Sequence, residues 1–217
     1  MAISKFNYNS FNVTPVASKA LAFDADADGF TTASGSSMIL IKTLTASSGS
    51  TLSFVNGTDG VVLDDTYPLY KFEFINIHAD TRNAEWTVNF RDGGSSYDAT
   101  KTSTFFQSFH YESDSNAALQ YRTEKDLAQS TGAQLLTFEN HEDADMNLGG
   151  TLMLYNPSST TFVKHYMCRL NFSNANFSQE CHTAGYCNVT AAIDGVQFAM
   201  ASGTFDGNVK LYGIADS

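Results

Sequence analysis

Trp86-Thr87-Val88-Asn89-Phe90-Arg91 alternates apolar and polar side chains almost without a break. Trp86, Val88 and Phe90 share one face of an extended chain and Thr87, Asn89 and Arg91 the other, the period of two that marks a half-buried strand. The run ends in Asp92-Gly93-Gly94, residues that accept positive φ angles, so a tight hairpin turn is expected there. Upstream, Tyr70, Phe72 and Phe74 alternate with Lys71 and Glu73 in the same manner. The apolar phase then moves to Ile75 and Ile77, which predicts a β-bulge or a change of partner sheet near Phe74.

Working outward, Met38-Ile39-Leu40-Ile41 is a continuous apolar run, expected to be a strand buried on both faces, and Thr51 to Val55 follows after a Ser/Gly turn. Leu152 and Leu154, Phe162 to Leu170, Val196 with Phe198 and Met200, and Val209 with Leu211 continue the pattern. Each run is short and bounded by Gly, Asn, Asp, Ser or Pro. Many short strands with turn chemistry between them, and no alternation with helices, predict an all-β antiparallel β-sandwich, jelly-roll-like. Helix is expected for a turn or two at most, within Asn116 to Ala128. Met1 to Gly35 is polar, rich in small residues and without sustained periodicity, so residues 1–35 are expected to form an extended N-terminal arm and residues 36–217 the sandwich domain.

The composition suits a packed core: 42% of the 217 residues are hydrophobic and 16% charged, with 17 Phe and 10 Tyr. Twelve Lys and Arg against 23 Asp and Glu give a formal charge of -11. The cations are scattered singly, without the clustering that neutralises several phosphates, so nucleic acid is not an expected partner. The start, MAISKFNYNS, has neither the pattern of a leader nor an apolar stretch of membrane-spanning length, so cytoplasmic synthesis and no membrane insertion are expected. Cys168, Cys181 and Cys187 form an odd count without disulfide-framework spacing, which fits reduced thiols.

Several constellations invite a chemical reading, and each has a plainer one. Asp24, Asp26, Asp28 and Gly29 match the first half of a calcium loop, but Gly35 occupies the position where a bidentate Glu belongs, so a solvated acidic turn is the expectation. Glu139, His141, Glu142, Asp143 and Asp145 offer metal ligands in one loop, yet such carboxylate density more often marks a solvated segment. Cys181, His182 and Cys187 have irregular spacing for zinc, with Cys168 or a distant His needed as fourth ligand, and read as buried thiols. Asp64 with Asp65, or Glu112 with Asp114, are carboxylate pairs too close along the chain to face each other across a sugar. With no Gly-x-Ser-x-Gly elbow either, no catalytic residue, cofactor site or metal site is assigned, and the chain is not expected to be an enzyme. Loop aromatics such as Tyr97, Tyr111 and Tyr186 are candidates for stacking on sugars.

Four segments carry a resemblance: Leu40-Ile41-Lys42-Thr43-Leu44-Thr45-Ala46-Ser47-Ser48 with Leu52-Ser53-Phe54-Val55-Asn56-Gly57; Val61-Val62-Leu63-Asp64-Asp65-Thr66-Tyr67 before Tyr70-Lys71-Phe72-Glu73-Phe74; Leu154-Tyr155-Asn156-Pro157-Ser158-Ser159-Thr160-Thr161-Phe162-Val163-Lys164-His165; and Lys210-Leu211-Tyr212-Gly213-Ile214. Together, over about Ser36 to Ile214, they resemble virion structural proteins of marine tailed phages, cyanophages and pelagiphages in particular. The resemblance implies a virion protein, tail-associated or fibre-like, made in the host bacterial cytoplasm. Its expected partners are other virion proteins (tail or capsid subunits) through the N-terminal arm, further copies of itself, a trimer included, and host surface glycan. The alternative is a capsid decoration or cement protein that stabilises the phage head. A glycan depolymerase is the third class, disfavoured because no acid and base can be named.

Overall fold

A computed structural model of the chain describes residues 21–23, 30–32 and 37–215. Its strands are β1 (Leu21–Phe23), β2 (Phe30–Thr32), β3 (Met38–Gly49), β4 (Leu52–Val55), β5 (Leu69–Ala79), β6 (Trp86–Arg91), β7 (Lys101–Tyr111), β8 (Ala117–Tyr121), β9 (Gln134–Leu135), β10 (Leu148–Tyr155), β11 (Lys164–Asn174), β12 (Phe177–Cys187), β13 (Gly195–Met200) and β14 (Phe205–Ile214). A four-stranded sheet, β4-β13-β6-β9, lies against an eight-stranded one, β3-β14-β5-β10-β11-β12-β7-β8. Neighbouring strands pair antiparallel throughout.

The chain order explains this unequal pair. The steps β3 to β4, β4 to β5, β5 to β6, β9 to β10 and β13 to β14 each cross from one sheet to the other, the winding of a jelly roll. The half β3-β14-β5-β10 faces β4-β13-β6-β9, which makes the antiparallel sandwich expected from the sequence. Two hairpins are inserted into this winding, β7–β8 between β6 and β9, and β11–β12 between β10 and β13. They pair with each other and with β10, so the larger sheet runs beyond the smaller one.

Aromatic rings lock the two sheets. Phe72 of β5 meets Phe54 of β4 at 5.3 Å and Phe198 of β13 at 5.2 Å, while Phe74 meets Trp86 of β6 at 5.8 Å. Edge-to-face pairs of this kind add to the burial of their area. Trp86, Val88 and Phe90 are completely buried, as the alternation requires, and Thr87 is buried as well through a hydroxyl that donates to the Ala199 carbonyl at 2.9 Å. The expected bulge sits at Ile75–Asn76: β5 carries one extra residue against both β10 and β14, and Asn76 has φ 52°. The extra residue lets Phe74 and Ile77 both face inward.

Three expectations are corrected. Met38 and Leu40 are 43% and 52% exposed, because β3 is an edge strand and, among the described residues, no layer covers the outer face of its sheet. Gly93 and Gly94 do take positive φ, 100° and 76°, but they begin a crossing between the sheets, since β6 pairs with β13 and β9 and not with β7. The little helix expected within Asn116 to Ala128 is found there as one 3-10 turn over Thr123–Lys125, following β8, which pairs with the edge of β7. In the arm, β1 and β2 pair as an antiparallel ribbon where no strand is predicted. Asp24, Asp26, Asp28, Gly29 and Gly35 lie outside the described residues. Among the described residues no helix is long and apolar enough to cross a membrane.

Candidate functional site

The extension has an inner face whose polarity increases away from the jelly roll. On β11 the inward residues after the buried Lys164, namely Tyr166, Cys168, Leu170 and Phe172, are apolar or nearly so. On β12 they include Gln179 and Thr183, on β7 Lys101, Ser103 and Gln107, and on β8 Gln120. The smaller sheet reaches these strands only at its border, where Phe90 of β6 meets Tyr166 of β11 at 5.0 Å and Asn89 accepts from Lys101 of β7 at 2.5 Å. The segment from Thr123 to His141 covers them instead, held by Gln134 Nε2 donating to the Lys125 carbonyl at 3.0 Å, Leu127 N donating to Ser103 Oγ at 2.9 Å, and Tyr166 Oη donating to Gln134 at 3.3 Å.

Beyond this cover a groove of about 430 Å³ opens at the end of the extended sheet. Its floor is Gln107, Gln120 and Gln179; one wall is Arg122, Phe138, Glu139 and His141. The far end is aromatic, with Phe109, Tyr111 and Phe177 beside Asn174, and Arg82 and Asn83 close the remaining side. Strand register produces this grouping, since Tyr111 pairs with Phe177, Phe177 with Asn174, and Phe109 with Gln179. The guanidinium of Arg122 offers only donors, which fixes the Gln107 amide with its oxygen accepting from Nη2 at 2.8 Å and Nε at 3.0 Å. The other side of that amide meets the Gln179 amide at 2.6 Å. Arg122 also lies 4.5 Å from the centre of the Phe138 ring, so two contacts orient it.

The rim is tied down from three directions. Asn174 Nδ2 donates to the Glu139 carbonyl at 2.7 Å, Asn83 N donates to the Asn140 carbonyl at 2.8 Å, and Glu112 N donates to the Asn176 carbonyl at 2.9 Å, joining the tips of the two inserted hairpins. A groove held in this way is largely formed before any ligand arrives. Amides and guanidinium present donors and acceptors suited to hydroxyl groups, and half-buried aromatic rings suit the apolar faces of sugar rings.

Of the aromatics singled out in the sequence, Tyr111 lines the groove, Tyr186 lies on the opposite face beside His165, and Tyr97 packs at Gly195. From the loop Glu139 to Met146 the structure gathers His141, Glu142 and Asp143, whose ligand atoms lie within 4.8 Å of one another; Glu139 faces the groove and Asp145 stands apart from the cluster. Cys181 and Cys187 are buried on the inner face of β12 while His182, one residue from Cys181, lies on the outer face against Phe106 at 4.7 Å, so these three do not converge. Burial pushes the thiols of Cys181 and Cys187 up to about 12 and that of Cys168 upward as well. Asp64 caps its own loop: the Thr66 side chain first, and then Thr66 N donating at 2.8 Å, hold its carboxyl below the usual range. Asp114 turns the tip of the β7–β8 hairpin with φ 55° and pairs with His110 at 3.0 Å, while Glu112 lies on the outer side.

The residues missed in the sequence are Gln107, Gln179 and Arg122. The signal was present: Gln107 sits between Phe105 and Phe109, and Gln179 between Phe177 and Cys181, each a polar residue in an otherwise apolar phase of a strand. Comparison with family models, with curated proteins and with solved structures yields no match to this chain.

Proposed function

We propose that this chain is a non-enzymatic structural protein of a tailed-phage virion, tail-associated or fibre-like, which displays its jelly roll outward and holds host surface glycan in the groove. The observation that carries the glycan contact is the floor of Gln107 and Gln179 oriented by Arg122, next to the rings of Tyr111, Phe109 and Phe177. The virion assignment rests on the resemblance over about Ser36 to Ile214. Binding without hydrolysis is favoured because Glu139 is the single carboxylate among the described residues lining the groove, whereas glycoside hydrolysis in its usual form uses two. The arm, residues 1–35, is assigned to anchoring on other virion subunits, with synthesis in the host cytoplasm and self-association to a homo-oligomer.

A capsid decoration role is the second reading, and the broad outer face of the larger sheet favours it. Met153, Met167, Tyr155 and Phe106 lie there, a surface suited to a neighbouring subunit. Quantitative mass spectrometry of purified particles separates the two: a tail part is present in roughly a few to dozens of copies and a decoration protein in hundreds, as symmetry and ring closure require. Arg122→Ala is expected to reduce adsorption of the purified protein to host cells with its far-UV spectrum unchanged. Undiminished adsorption removes the groove as the contact.

A further inference from the structure

We infer that the groove is one half of a longer saccharide path, which crosses the aromatic ridge of Tyr111 and Phe177 into a second depression on the opposite face of the sheet and takes an uncharged oligosaccharide chain. This rests on the glycan reading of the groove. The second depression, about 330 Å³, is lined by His110, Glu112, Asn171, Ser173 and Ser178, together with the same two rings that end the groove. Tyr111 and Phe177 are 5.0 Å apart between ring centres, and Phe109 is 5.9 Å from Tyr111 on the groove side. Both rings are only half-buried.

The alternation of side chains on β7 and β12 creates the two sides. Gln107 and Phe109 face the groove, Ser108 and His110 the other face, and likewise Gln179 against Ser178. The sheet ends at this ridge, where the hairpin tips are tied by Glu112 N and the Asn176 carbonyl. A ligand longer than the groove therefore has an exit over two aromatic faces into a second polar hollow. A saccharide chain fits that order of surfaces, because each ring carries hydroxyls at its edge and C–H groups on its faces.

Charge selects the uncharged class. Arg82 and Arg122 line the groove with Glu139, the outer hollow carries Glu112, and the protein as a whole has a formal charge of -11. An acidic polysaccharide meets no net positive surface here and is repelled by the remainder.

The test is calorimetric titration of the full chain with short and long neutral glucan and mannan oligosaccharides, with alginate oligosaccharides as the anionic control. Ser178→Trp fills the outer hollow and leaves the groove intact; Arg122→Ala alters the groove and leaves the hollow intact. Long neutral chains are expected to lose affinity by about tenfold or more in Ser178→Trp, while short ones keep theirs, and both are weakened in Arg122→Ala. Should Ser178→Trp bind long chains as tightly as wild type while Arg122→Ala does not, the path across the ridge is refuted and the groove stands. Preference for alginate overturns the uncharged class, and absence of binding to every oligosaccharide overturns path and groove together.

Discussion

Trp86 is the single tryptophan of the chain and is completely buried between Phe74, Phe198 and Phe205, yet its Nε1 has no hydrogen-bond partner among the described residues. Its worth is therefore almost entirely packing. Trp86→Ala is expected to cost about 3–5 kcal/mol in urea unfolding followed by far-UV circular dichroism, and Trp86→Phe less than half of that, because the ring stays and the unpaired donor goes. Lys101 and Lys164 show the opposite economy. Both are completely buried, and each ammonium is surrounded by oxygens instead of a carboxylate: Lys101 by Asn89 Oδ1 and the Ala99 and Thr131 carbonyls, Lys164 by the carbonyls of Ser159, Val189 and Ala191. Burial pushes the Lys101 amine down to about 8. Between there and the ordinary lysine value of 10.5 the unfolded chain binds more protons than the folded one, so the contribution of Lys101 to stability rises with pH across that window and is flat below it. The buried thiols act in the opposite direction once unfolded cysteine ionises, so the comparison is with Lys101→Met, which retains them. Wild type is expected to gain stability relative to this variant as pH rises from 8 to 10.5, and a difference independent of pH contradicts the depressed amine. None of this was visible in the sequence, where both lysines read as scattered surface cations.

At the scale of elements, the bulge in β5 depends on the strand beside it. Gly207 of β14 has φ 129°, and a Cβ there would come within 2.5 Å of the Asn76 carbonyl oxygen and 2.8 Å of Ile77 Cδ1. Gly207→Ala is expected to cost about 1–3 kcal/mol and to lower the melting temperature by several degrees; an unchanged melting temperature contradicts a bulge that needs glycine opposite it. The bulge was legible because it shifts a local pattern, Tyr70, Phe72 and Phe74 giving way to Ile75 and Ile77. Met38 to Ile41 and Asp92 to Gly94 were misread because their structure is set by partners far along the chain, β14 for the first and β13 for the strand before the second. Period and turn chemistry specify a strand's existence and its faces. They do not specify its neighbours or whether a sheet face is covered.

Across the whole molecule, two hairpin insertions turn a jelly roll into a platform. The half of the larger sheet that faces β4-β13-β6-β9 has an aromatic interior, whereas the inner faces of β12, β7 and β8 mix Phe105, Cys181 and Cys187 with Lys101, glutamines, a threonine and a serine beneath a loop. Amide hydrogens of β7 and β8 are therefore expected to exchange faster than those of β5 and β14, by local opening that leaves the jelly roll closed, and equal protection in both regions contradicts this division. The sandwich, its jelly-roll winding and Tyr111 were within reach of the sequence. The groove was not, because its floor joins strands that become neighbours only through the insertions. The proposed virion role and the proposed use of the groove meet in one measurement, a cryo-EM reconstruction of the phage particle proposed to carry this chain. It is predicted to place the jelly rolls on the tail with the Tyr111 and Phe177 ends of their sheets turned outward to solvent; jelly rolls spread over the capsid lattice, or grooves sealed against neighbouring subunits, would contradict it.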